Sequence, residues 1–360
     1  MLRLGLIVNP LAGVGGRLAL KGSDDRGLVD AALASGAARP APERTRAALA
    51  ALPAEIEILT AGGAMGADIA GTPITPATDV STGADTRAAA IALADAGVDL
   101  LLFAGGDGTA VDVLAALGDR LPVIGIPAGV KMHSAVFGVT PRHAGELAAA
   151  FAAGRVRDDA PAEVMDVHEA DLRAGVISPR LYGFLRVPVA AGFVQSGKAR
   201  STPAEAVAQA AVAAHVVERL LGHGVALIGP GTTTGAVMAA LGLPKSLLGV
   251  DVVRGGSLIA ADADEEALLA LSGPGAILVV TPVGGQGFVL GRGNQQLSAR
   301  VLRAIGPERL YIVATAAKLA ALAGRPLLVD TGDPELDAAL AGYRRVVTGY
   351  HHETVYRVAA

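Results

Sequence analysis

The chain of 360 residues carries 30 Lys and Arg against 34 Asp and Glu, a net charge of −4, and offers no broad basic surface to nucleic acid or an acidic membrane. Hydrophobic residues reach 52% while aromatics stay at 3%, and 47 glycines punctuate them, which suits short buried strands and Ala-rich helices joined by tight turns. There is no cysteine, which excludes a disulfide framework, a thiolate metal site and a cysteine nucleophile.

The opening run MLRLGLIVNP breaks at Asn9-Pro10, short of a signal-peptide core, and no uncharged stretch has the length of a membrane span. A cytoplasmic protein is expected. Leu2–Val8 reads as a strand buried on both faces and runs into the glycine loop NPLAGVGGR (9–17). A helix is expected over about 42–52, a strand at 55–60, a surface connection at 71–83 and a helix at 82–99. Strand 100–104, the loop GGDGT, helix 109–117 closing at Gly118, strand 121–129 and helix 140–155 complete a βαβ rhythm, the pattern of a doubly wound parallel sheet.

Beyond Arg155 the texture changes. Residues 163–190 alternate apolar and polar positions, which predicts antiparallel strands. A long helix with Thr202 as N-cap and Glu205 closing a capping box follows, then strand, GPGTTTG loop and helix from 225. A hairpin turning at Arg254-Gly255-Gly256 precedes renewed βα alternation from Gly275 to Tyr350. The expected organisation is a nucleotide-binding α/β domain (1–157), a β-rich acceptor-binding domain (158–273) and C-terminal βα segments (274–360) docking on the first domain.

Several strands run into glycine loops: 9–17, 104–109, 125–131, 229–235 and 284–294. A glycine loop that opens a helix exposes backbone N–H groups at a positive helix end and suits phosphate. GGDGT is neither a P-loop, since it lacks the lysine, nor a dinucleotide fingerprint, since Val111 stands where the third glycine is required. Its carboxylate, Asp107, can accept a proton or bind Mg²⁺ through water. HHE (351–353) is a weak metal signal because neighbours on a strand point to opposite faces, and no metal ligand is expected.

GGDGT at 105–109, behind a buried strand, resembles the signature of the NAD kinase and diacylglycerol kinase superfamily. NPLAGVGGR, KGSDD (21–25), GIPAGVKMHSAVFGVTP (125–141), GPGTTTGAVMAALGLPKSLLGVDVV (229–253), GRGNQQLS (291–298) and LLVDTGDPELDAALAGYRRVVTGY (327–350) are together similar to its ATP-NAD kinase-like branch, which includes the X protein of acetoin-catabolism operons. The resemblance implies phosphoryl transfer from ATP, with Mg²⁺, to the adenosine-ribose 2′-hydroxyl of NAD. Asp107 would be the general base or hydroxyl-orienting group, with Gly105, Gly106, Gly108 and Thr109 lining phosphates. Lys131 and His133 are candidates for basic contacts, Asn9 and Arg17 for secondary ones. Gly231, Thr232, Thr233 and Thr234 stand where the family's TPTGSTAY-like segment holds NAD; Gln295 and Gln296 are further candidates.

The Asn-acid pair of mainstream NAD kinases has no clear counterpart; EVMDVHEAD offers Asp166 without an asparagine. Two alternatives therefore stay open: a kinase acting on another small-molecule or lipid hydroxyl, and a non-catalytic nucleotide-binding regulator. The expected partners are small-molecule nucleotides in a homo-oligomer, with no nucleic acid and no membrane.

Overall fold

In the computed structural model the structure describes residues 2–20, 26–78, 81–130, 132–156, 159–167, 180–189, 203–220, 224–246, 248–273, 275–283 and 287–360. The chain divides into two compact units, Met1–Gly15 with Lys21–Ser196, and Gly16–Leu20 with Gly197–Ala360.

The first unit is built on β1 (Arg3–Val8), β2 (Glu57–Thr60), β3 (Thr72–Pro73), β4 (Leu100–Gly105) and β5 (Val123–Pro127). They lie in the order β3-β2-β1-β4-β5, every pair parallel. Side chains alternate across a strand, so each apolar run serves two cores. Leu4, Leu6, Leu100, Leu102, Ile124 and Ile126 pack with helices Pro40–Leu49 and Pro141–Ala152. Ile7, Leu101, Phe103 and Val123 pack with helices Gly83–Asp95 and Asp107–Leu117 on the other face. The sheet is doubly wound, as the runs of Leu, Ile and Val require.

Local signals set the helix ends. Thr82 and Asp85 form a capping box, Thr140 caps the helix that Pro141 opens, and Gly118 ends the helix Asp107–Leu117 at φ 54°. The antiparallel pair expected in 163–190 is β6 (Asp159–Asp166) against β7 (Arg180–Pro188).

The second unit contains β8 (Val225–Ile228), β9 (Asp251–Arg254), β10 (Ser257–Ala260), β11 (Ile277–Val280), β12 (Phe288–Leu290), β13 (Leu310–Val313), β14 (Leu327–Val329), β15 (Gly342–Gly349) and β16 (His352–Ala359). Their order in one mixed sheet is β10-β9-β8-β11-β13-β15-β16-β14-β12. β8, β11, β13 and β15 are parallel neighbours. Helices Pro203–Leu220 and Thr232–Ala240 cover one face through Val212, Val216, Val237 and Met238. Leu268, Val301, Leu302 and Leu336 from later helices fill the other.

This differs from the expected segmentation. The stretch 158–273 is divided: β6 and β7 count with the first unit, while β8, β9 and β10 share a sheet with the C-terminal strands. Segments 274–360, expected to dock on the first domain, are hydrogen-bonded into that second sheet. The change of texture near Arg155 marks the first unit's antiparallel appendage rather than a domain boundary. The capping residue Thr202 and the segment KGSDD lie outside the described residues. Among the described residues no helix is long and apolar enough to cross a membrane.

Helices Pro40–Leu49 and Pro141–Ala152 meet at Gly145, where a Cβ would stand on the carbonyl oxygen of Ala48. Gly145→Ala should therefore destabilise the first unit by about 2 kcal/mol, although alanine is the better helix former by about 1 kcal/mol. A urea-denaturation midpoint lower than wild type is the expected reading; an unchanged or higher midpoint would contradict the close packing.

Candidate active site

In a doubly wound sheet the strand order reverses between β1 and β4, and the crevice outside their carboxyl ends is the natural ligand site. Both chains leave that edge in glycine loops, and one asparagine ties them together. Asn9 donates its backbone N–H to Ala104 O (2.9 Å) and its Nδ2 to Thr109 Oγ1 (3.1 Å), while its Oδ1 accepts from Leu11 N (3.1 Å). Asn9 and Thr109 are thus brought together, each committed to the other.

Asp107 is the first residue of its helix and only 4% exposed. Its Oδ1 accepts from Ser134 N (3.0 Å) and Ser134 Oγ (2.6 Å). Its Oδ2 accepts from His133 N (2.6 Å) and faces His133 Nδ1 at 3.2 Å. A carboxylate offers about four lone-pair sites; three here receive donors, and the fourth faces the His133 ring, which donates in the tautomer protonated at Nδ1. Fully buried Ser134 also accepts from Met165 N (3.0 Å) and lies 2.8 Å from Met165 O, so it connects Asp107 to β6. Its single proton goes to the carboxylate, the closer and stronger acceptor.

The glycines of the loop fall into two kinds. The Gly105 carbonyl accepts from Ala128 N and Gly129 N, both at 3.0 Å, and a Cβ on Gly129 would come within 2.7 Å of Gly106 Cα. Gly106 therefore lets the strand-end loop of β5 close onto the GGDGT segment, while a Cβ at Gly105 would collide with Thr109. At Gly108 the added Cβ would meet only Asp166 Oδ2, at 3.9 Å, and no side chain caps this helix. Gly108 itself is exposed, with the Asp166 carboxylate beside it.

His133 lies against Asp107, with its ring 9% exposed. Lys131 lies outside the described residues. Ser134 has no counterpart among the sequence candidates; its position directly after His133 was the only available signal.

The second unit repeats the arrangement at its own parallel edge. After β8, Gly231 (φ 123°) turns the chain so that Thr232, Thr233 and Thr234 open a helix without a side-chain cap. After β13, Lys318 sends its Nζ to Thr233 Oγ1 (2.8 Å), Thr232 Oγ1 (3.4 Å) and, from the β11 edge, Thr281 Oγ1 (3.4 Å). Gln209 Nε2 donates to Thr232 Oγ1 (3.1 Å), and Glu205 Oε1 accepts from Thr315 Oγ1 (2.7 Å). Burial holds the Lys318 ammonium below the usual lysine pKa, with the charge of Glu205 opposing. Lys318 was not among the sequence candidates, because only the fold makes β8, β11 and β13 neighbours.

The remaining candidates are elsewhere. The Arg17 carbonyl accepts from Glu265 N (3.0 Å). In the GRGN loop Asn294 satisfies Gly291 N and Val289 O, both at 2.9 Å, and Gln296 is buried beside it in sequence. Of the HHE residues, His351 joins His215 and Glu218, whose ligand atoms lie within 4.8 Å of one another. Arg219 Nε already donates to His215 Nε2 (3.1 Å), and burial followed by that guanidinium lowers the pKa of His215. A neighbouring guanidinium disfavours a metal cation there.

Residues 4–156 match the ATP-NAD kinase N-terminal domain, and residues 225–358 match the ATP-NAD kinase C-terminal domain. The chain belongs to the NAD kinase-like family. Searches of curated proteins and of solved structures found no match. In this NAD kinase-like chain the Asp107 cluster falls almost wholly in the first matched segment and Thr232, Thr233, Thr281 and Lys318 in the second. These are the domains of a kinase, a phosphotransferase.

Ser134→Ala removes one donor to Asp107 and the acceptor of Met165 N. The expected cost is about 1–3 kcal/mol of unfolding free energy, the usual range for a buried polar group left unsatisfied, read by urea denaturation. A loss below about 0.5 kcal/mol would show that the Ser134 bridge does not hold the loop.

Proposed function

We propose that the protein is an ATP-dependent kinase that phosphorylates the adenosine-ribose 2′-hydroxyl of NAD to give NADP. The observation that carries this reading is the position of Asp107, a carboxylate on the uncapped start of a helix at the switch point of a sheet belonging to this family. Phosphoryl transfer is mainly positioning and charge neutralisation, so little beyond such a cradle is required.

The two oxygens of Asp107 are assigned different tasks. Oδ1 stays anchored on Ser134, while the contact of Oδ2 with His133 Nδ1, the longest of the four, is the one a substrate hydroxyl can displace. Oδ2 then orients that hydroxyl and takes its proton as the oxygen–phosphorus bond forms and the ADP oxygen leaves. The Gly108 and Thr109 amides, in a helix start with no side-chain cap, would receive phosphate oxygens. The open position beside Gly108 and the nearby carboxylate of Asp166 fit a hydrated Mg²⁺, an oxygen-seeking ion held by one or two carboxylates plus phosphates. Bound there, Mg²⁺ would supply neutralisation of the transferring charge.

The engagement of Asp107 by His133 and Ser134 favours one second reading, a nucleotide-binding regulator that does not turn over. Purified protein with ATP, Mg²⁺ and NAD, assayed for NADP, separates the two. Turnover is expected, and Asp107→Asn should lower kcat at least about 100-fold, the scale of a lost general base, with an unchanged circular-dichroism spectrum. Full activity in a folded Asp107→Asn protein would sink the mechanism. Binding of ATP and NAD without any NADP would select the regulator.

A further inference from the structure

Among the described residues, the second unit contains two lysines whose amines are mostly withdrawn from solvent, and they are treated differently. Lys245 Nζ is paired with the buried carboxylate of Asp251 at 2.8 Å, the usual fate of a buried charge. Lys318 has no such partner: among the described residues it forms no ion pair, and its three contacts are the hydroxyls of Thr232, Thr233 and Thr281. The nearest acidic group, Glu205, is turned onto Thr315 Oγ1 at 2.7 Å. Thr233 and Thr281 are almost fully buried, so their hydroxyls are fixed, whereas Thr232 is exposed and opens the cluster to solvent.

The surroundings add donors, and the charge of Glu205 acts on Lys318 without forming an ion pair. The three threonines and the lysine come from the carboxyl ends of β8, β11 and β13, adjacent parallel strands, the edge at which α/β sheets bind ligands. The helix Thr232–Ala240 begins there without a side-chain cap. One ammonium, hydroxyls that rotate to donate, and unclaimed helix amides form a donor set that matches phosphate oxygens.

We propose that Lys318, with Thr232, Thr233 and Thr281, forms a phosphate-binding subsite within the second unit that takes the diphosphate of a nucleotide. Naming a nucleotide rests on the kinase reading above; the phosphate chemistry rests on the cluster alone. The two nucleotide sources, NAD and ATP, are separated by the experiment.

The test measures the binding of NAD, ATP and inorganic pyrophosphate to the full chain by calorimetry, for wild type and Lys318→Met. Loss of one charged hydrogen bond to phosphate predicts about tenfold weaker binding of pyrophosphate and of whichever nucleotide uses the subsite, with thermal stability retained. A second measurement needs no variant: pyrophosphate should protect Lys318 of the wild-type chain from amine acylation, read by peptide mass spectrometry. A change below threefold for all three ligands, absence of protection, or a wild-type chain that binds none of them overturns the proposal. A protein that binds through Lys318 yet forms no NADP leaves the subsite standing and fails the kinase reading instead.

Discussion

A carboxylate buried at the edge of a sheet must be given donors, and the carboxyl edge of the first unit is organised around meeting that demand for Asp107. Left unpaired, a buried charge costs several kcal/mol, enough to consume much of a domain's stability. The four contacts come from His133 and Ser134, so the chain leaving β5 has to return over the start of the helix that Asp107 begins. Ser134 Oγ then accepts from Met165 N, which draws β6 into the same arrangement. The grouping of the β6–β7 pair with the first unit follows from this chain of contacts and from the apolar packing of Val164, Leu185 and Val187 in its core.

The second unit uses the same architecture with the opposite sign of charge. A parallel edge again ends in a glycine turn and an uncapped helix, but the residue set into it is Lys318, whose ammonium is held among hydroxyls. The two edges have complementary chemistry. One presents a carboxylate already engaged by His133 and Ser134, suited to accepting or orienting a proton; the other presents donors in excess, suited to an anion.

Much of this was legible in the sequence. Strands of Leu, Ile and Val buried on both faces announced a parallel sheet, and threonine and glycine at helix ends were readable as caps because capping is local. GGDGT and GPGTTTG were also readable, since a glycine loop after an apolar run has few physical uses. What stayed hidden was partnership at long range. The link between Asp107 and Ser134 spans 27 residues and that between Thr233 and Lys318 spans 85, and nothing periodic connects such positions. β16 escaped for a different reason. Its only fully buried residue within the strand is Val358, so HETVYRVA carries almost no alternating signal, and pairing with β15 and β14 creates it. The unit boundary was misplaced because antiparallel texture reports how strands pair, not which core they serve.

The GGDGT motif illustrates how one residue type can be required for separate reasons. At Gly105 a side chain would collide with Thr109, and at Gly106 the backbone of Gly129 stands too close to admit one. Gly105 makes room for Thr109 of its own segment and Gly106 for the loop after β5, so both are spent on packing. Gly108 meets no such obstacle: a Cβ there would make only an ordinary contact with Asp166 Oδ2, at 3.9 Å. A steric reason internal to the fold therefore accounts for the first two glycines and not for the third. No clash within the fold requires the absence of a side chain at Gly108. Under the kinase proposal, a close approach of phosphate to the backbone beside Asp166 would give the missing side chain a use.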